Sequence, residues 1–116
     1  TLHALGGREM LATAARTARE TAEDLGRQIP PRLLAVTVLT SMDAASLLEM
    51  GIAVPPEETV VHLARLALDS GMDGVVASPL EAKRLRKTFC RKFLIMTPGV
   101  RFSGGTQDDQ RRIATP

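Results

Sequence analysis

The sequence predicts an α/β protein made of parallel βα units. Apolar, strand-like segments at 33–39, 74–77 and 92–96 alternate with helical patterns. That alternation produces right-handed βαβ crossovers in nearly all cases. Leu33–Leu39 is apolar apart from Thr37 and carries β-branched residues. Such a run predicts a strand buried on both faces, as in a parallel sheet. Finally, each strand-like segment empties into its own polar loop, and the last loop, TPGVRFSGGTQDDQ, is much the longest.

In chain order, Thr1–Leu5 reads as the last residues of a strand, and Gly6-Gly7 turn the chain. From Arg8 the helical period sets in. Met10, Leu11, Ala14, Ala15, Ala18, Ala22 and Leu25 share one face, and most of the charges lie off it. Gly26 is the expected C-cap, and Gln28–Pro31 is a connector. Leu33–Leu39 is the next strand, closed by Thr40-Ser41. A short helix follows from Asp43 to Met50, closed by Gly51. Pro55-Pro56 break the chain, and Glu57-Glu58 put negative charge at the start of another helix, where it meets the positive end of the helix dipole. Val60, Val61, Leu63, Ala64, Ala67 and Leu68 face inward on that helix, and Gly71 ends it. After the strand at Gly74–Ala77, Ser78-Pro79-Leu80-Glu81 has the form of a capping box with proline at the first helical position. Its helix runs to about Thr88, and Lys92–Met96 is the next strand.

Composition sets bounds on function. A chain of 116 residues is one domain at most. It is shorter than a complete (β/α)8 barrel, which needs roughly 250 residues and rarely fewer than about 200. With no Trp or Tyr, the core falls to Leu, Val, Ile, Met and Ala. The net charge of +2 comes from a small Arg/Lys excess and not from a basic tract. Cys90 is the single cysteine, which excludes an intrachain disulfide and fits a reducing cytoplasm. No apolar run approaches the roughly 18 residues of a membrane span. Thr1–Gly7 also lacks the charged start and long apolar body of a secretory signal.

Phe93–Pro116 is the stretch that organises the chain. Phe93-Leu94-Ile95-Met96 is a strand that Pro98-Gly99 stop. A polar loop follows with Arg101, Gly104-Gly105 and Gln110, and Thr115-Pro116 read as N-cap and first helical residue. A strand, a Gly-rich loop and a helix start can hold a phosphate, because small residues let backbone N–H groups approach and Arg adds a bidentate donor. On spacing alone Arg101 reads equally well as a solvated loop arginine, whereas Gln110 reads best as a surface glutamine.

Four segments carry a family resemblance: HALGG at 3–7, LLAVTVLTSM at 33–42, DGVVASPLEA at 73–82 and TPGVR…DDQRRIATP at the end. In this order they resemble orotidine 5′-phosphate decarboxylase, over nearly the whole chain. The resemblance implies parallel βα units forming part of a (β/α)8 TIM barrel, from approximately the end of strand 4 to the start of helix 7. It implies removal of CO2 from orotidine monophosphate to give UMP in pyrimidine biosynthesis. No cofactor or metal is implied. An upstream Lys/Asp array does the chemistry: carboxylates crowd the substrate carboxylate, and a lysine protonates the carbanion at C6. No Asp-x-Lys-x-x-Asp pattern occurs in this sequence, so no catalytic residue is assigned here and the chain alone is expected to be inactive. The family's last strand is absent from the sequence as well.

By resemblance, Arg101 lies at the nucleotide-binding loop, Gln110 grips phosphate and Thr40 contacts the pyrimidine. The expected partner is a small nucleotide, with neither nucleic acid nor membrane, in a cytoplasmic enzyme that is a homodimer when complete. Two other readings stand beside this one: a non-catalytic half-barrel or interaction module, and another phosphate-binding barrel such as a sugar-phosphate lyase.

The remaining polar residues have plainer readings. His3 ends a strand and could act as an acid or base, although a packed or hydrogen-bonded histidine is the better reading. His62 has no partner in view. Asp108-Asp109 lack spaced His or Cys ligands and read as loop charges. The basic run at 83–87 reads as a solvated helix face, and Phe89 and Phe93 sit in contexts too apolar for stacking on nucleic acid.

Overall fold

The computed structural model describes residues 1–98. Arg101, Gln110, Asp108-Asp109 and the Thr115-Pro116 helix start lie outside the described residues. Among those described, four strands form one parallel sheet in sequential order: β1 (Leu2–His3), β2 (Leu34–Val36), β3 (Gly74–Val76) and β4 (Leu94–Met96). The helices are α1 (Gly7–Asp24), α2 (Ala44–Glu49), α3 (Pro56–Asp69) and α4 (Pro79–Thr88), and a 3-10 turn at Ala4–Gly6 links β1 to α1. None of them is long and apolar enough to cross a membrane.

The local signals explain the boundaries. Asp43 caps α2 by accepting from the Ser46 N–H at 2.9 Å. Helix α1 ends in a Schellman turn, in which Arg27 N–H reaches Ala22 O at 2.8 Å and Gly26 N–H reaches Glu23 O at 2.9 Å. Gly26 takes the left-handed φ of +65° that this turn requires, and Gly71 closes α3 the same way at +82°. The capping box at α4 forms with both of its hydrogen bonds.

Each strand is shorter than its apolar run. The pairing of β2 ends at Val36, although the run continues to Leu39, because the chain bends away at Thr37–Val38 to reach α2. The apolar face of α1 is also narrower than its periodicity predicts. Leu11, Ala15 and Ala22 are buried, whereas Met10 and Leu25 at its margins are exposed.

In a parallel sheet, residues in register share a face. One row is Leu2, Ala35, Val75 and Ile95. It lies against the helices, with Ala35 and Val75 fully buried beside Leu11, Val60, Ala64 and Leu85. The rows on either side belong to the opposite face. Val36 and Val76 are half-buried there, and Leu94 and Met96 are exposed.

The N-terminal ends of the strands are tied by Asp73. Its carboxylate accepts from Leu33 N–H at 2.8 Å and from Arg32 Nη1 at 3.1 Å, and its carbonyl accepts from Leu94 N–H at 2.9 Å. One residue therefore sets the register of three strands. Gly74 follows it in a position where a Cβ would run into the Leu94 carbonyl.

Candidate functional site

The carboxyl ends of parallel strands are where α/β folds place ligands, because the loops that follow them open outward and carry the variable chemistry. Here the ends of β2, β3 and β4 converge. A cavity of about 60 Å³ lies between Val36 at the end of β2 and Val38, Leu39 and Thr40 in the loop after it, Val76 of β3 with Ala77 just beyond, and Pro98 after β4. Ligand sites usually measure about 300–1,000 Å³, so this cavity by itself is smaller than a ligand site.

Thr40 is half-buried at this cavity, and its hydroxyl makes no hydrogen bond to the described residues. Thr37, three residues earlier, is held fast. Its N–H and its Oγ1 both donate to Val76 O, at 3.1 and 2.9 Å. Of the two strand-end threonines, Thr37 is the one whose hydroxyl is engaged within the described residues. The Thr40 position read from the sequence thus falls on the cavity. Arg101 and Gln110 follow Pro98 in the sequence and lie outside the described residues.

The opposing wall is stiff. Ala77 N–H donates to Met96 O at 3.0 Å, and Ser78 N–H donates to Glu81 Oε2 at 2.8 Å. Ser78 and Glu81 are buried, at 0% and 2% exposure. Only the capping-box spacing signals this pair in the sequence, and that spacing gives no hint of the burial.

His3 ends β1 in register with Val36 and is exposed. It borders a second, larger hollow of about 300 Å³ beneath α2, whose other walls include Leu39, Met42, Leu47 and Leu63. No sequence signal pointed to that hollow. His62 is exposed on α3. The basic run of α4 is exposed except for Leu85, and two of its members are engaged: Arg84 with Glu57 at 3.3 Å, and Arg86 with the Cys90 and Phe93 carbonyls at 3.0 and 2.9 Å. Phe89 and Phe93 are buried against each other with ring centroids 5.0 Å apart, and Arg65 lies over the Phe89 ring at 4.7 Å. These rings are core and not a stacking platform. Among the described residues no three His, Cys, Asp or Glu side chains gather as a metal site would need.

Known proteins share this arrangement. The orotidine 5′-phosphate decarboxylase of Trichlorobacter lovleyi is 54% identical over 115 residues, which is 99% of this chain and 46% of that protein. The Pelobacter propionicus protein of the same name is 55% identical over 116 residues. A crystal structure of orotidine 5′-phosphate decarboxylase from Lactobacillus acidophilus superposes with a TM-score of 0.71 at 38% identity, covering 87% of this chain and 46% of that one. The chain thus spans about half the length of the curated relatives it matches. The family model described as Orotidine 5'-phosphate decarboxylase / HUMPS family matches residues 1–116, and the chain belongs to that family.

Proposed function

We propose that this chain supplies pyrimidine- and phosphate-binding parts of an orotidine 5′-phosphate decarboxylase, which converts orotidine monophosphate to UMP and CO2 in pyrimidine biosynthesis. The observation that carries the reading is the position of Thr40. Thr40 lines the cavity at the carboxyl end of the sheet together with Pro98, and its hydroxyl makes no hydrogen bond to the described residues. In this reading the four strands are the end of barrel strand 4 through strand 7, and the loop after β4 grips the phosphate through Arg101 and Gln110. Remote phosphate binding then lowers the barrier at a carbon some distance away, which is differential binding of the transition state. The Lys/Asp array that performs the decarboxylation belongs to an upstream strand, so the 116-residue chain by itself binds nucleotide at best and does not turn it over. The complete enzyme is a cytoplasmic homodimer.

The test is made in a full-length enzyme carrying this segment. Arg101→Ala removes a charge-assisted bond of about 1.5–3 kcal/mol, and kcat/KM on the nucleotide falls by roughly tenfold per 1.4 kcal/mol lost. Gln110→Ala costs less, because its donor is neutral. Neither change affects turnover of a truncated substrate without the phosphate. Equal losses on both substrates would reassign the two residues to holding the fold or the catalytic array.

A further inference from the structure

At the end of β3, three consecutive residues are anchored by three different elements. Val76 O accepts twice from Thr37 on the β2 side, and Ala77 N–H donates to Met96 O of β4. Ser78 N–H donates to the Glu81 carboxylate, on the first turn of α4, at 2.8 Å. The first two anchors are what any parallel sheet provides. The third is a carboxylate with 2% of its surface exposed. Burying a charged group is costly unless hydrogen bonds and local dipoles compensate it. The start of a ten-residue helix supplies part of that compensation. An exposed glutamate would cap α4 just as well, so capping does not account for the burial. Burial adds a fixed direction for the Ser78 N–H, and with it a fixed Ala77–Ser78 peptide. Ala77 is a wall of the Thr40 cavity.

We propose that Glu81 is a positioning residue for the substrate wall: its buried carboxylate holds the Ala77–Ser78 backbone where β3 meets the nucleotide. This rests on the functional reading above and adds to it a residue that touches no substrate. The contact that matters in this role is Glu81 on Ser78 N–H, while the bonds to the Ser78 side chain, from the Glu81 backbone N–H of the capping box and from Leu80 N–H at 3.3 Å, serve the helix.

The experiment compares Glu81→Ala, Glu81→Asp, Glu81→Gln and Leu85→Ala in the full-length enzyme. Leu85 is a fully buried side chain of α4, so its truncation weakens that helix from the core side. Glu81→Ala and Leu85→Ala both lower Tm. Glu81→Ala alone raises KM for the nucleotide by about tenfold, equal to about 1.4 kcal/mol of binding lost through the misplaced wall, with kcat less affected. It also speeds amide hydrogen exchange at Ala77 and Ser78. Glu81→Gln keeps an acceptor and restores both readouts. If Glu81→Ala does not fold, Glu81→Asp replaces it, since the shorter side chain draws the carboxylate back from Ser78 N–H and gives the same pattern. Unchanged exchange at Ser78 in the Ala or Asp variant, or an equal KM shift in Leu85→Ala, overturns the proposal. Should the wild-type enzyme show no decarboxylation, the functional reading fails, and the exchange rates at Ala77 and Ser78 still decide whether Glu81 positions this wall.

Discussion

The two faces of the sheet differ sharply. The row Leu2, Ala35, Val75, Ile95 lies against α-helices and joins the main core, where Leu11, Val60 and Leu85 are fully buried. The face behind it is also apolar, yet Leu94 and Met96 are 41% and 52% exposed there. All-parallel sheets normally have both faces covered. The helix-side face therefore holds the described fold together, while the far face and its rim at Thr40, Ala77 and Pro98 carry the candidate site. The two regions meet at Val38 and Ala77, which line the cavity and also belong to the core.

This division between the faces can be broken by substitution. The largest effect is expected at the helix-side core. Leu11→Ala should cost about 2–5 kcal/mol, the range for large-to-small changes at fully buried positions, read as a lower denaturant midpoint in urea. A cost below about 1 kcal/mol would mean that this face is not the main core.

Gly74→Ala comes next. Its Cβ would meet Leu94 at the carbonyl oxygen and, within 2.7 Å, at the carbonyl carbon. Relief requires β4 to move, at about 1–3 kcal/mol for overpacking. The same urea titration measures it, and an unchanged midpoint would show that β4 docks loosely on β3.

Asp73→Ala should cost about 1–3 kcal/mol, because it leaves Leu33 N–H without its acceptor. Arg32→Ala at the other side of the same contact should cost far less, since Arg32 is 71% exposed there. Equal losses in the two variants would mean that the ion pair matters more than the backbone contact.

The smallest effect sharpens the comparison most. On the face as described, Met96→Ser should stay within about 0.5 kcal/mol, as exposed substitutions do. The measurement uses the 116-residue chain beside a full-length relative carrying the same change. A cost of several kcal/mol in the longer protein alone would show that its additional strands cover this face.

Much of this could be read directly from residues close together in the chain. Ser78 and Glu81 stand at capping-box spacing, and the box forms. Gly26 and Gly71 mark helix ends, and both close Schellman turns. The parallel order of the strands followed from the alternation of strand and helix patterns. Other features were hidden. Nothing local separates Thr37 from Thr40, yet Val76 O takes the Thr37 hydroxyl and leaves that of Thr40 at the cavity. Nothing local marks Asp73 as the tie between three strands either.

By itself, then, the sequence determined element order, helix ends and a parallel sheet, because these depend on hydrogen bonds and periodicities that span three to five residues. The tertiary structure decided which threonine is committed, why position 74 must be glycine, and that Glu81 is buried. Each of these rests on a neighbour brought in by sheet pairing or helix docking: Val76 lies 39 residues from Thr37, and Asp73 lies 40 from Leu33. Pattern along the chain cannot encode a contact whose two halves are set by the packing of separate elements.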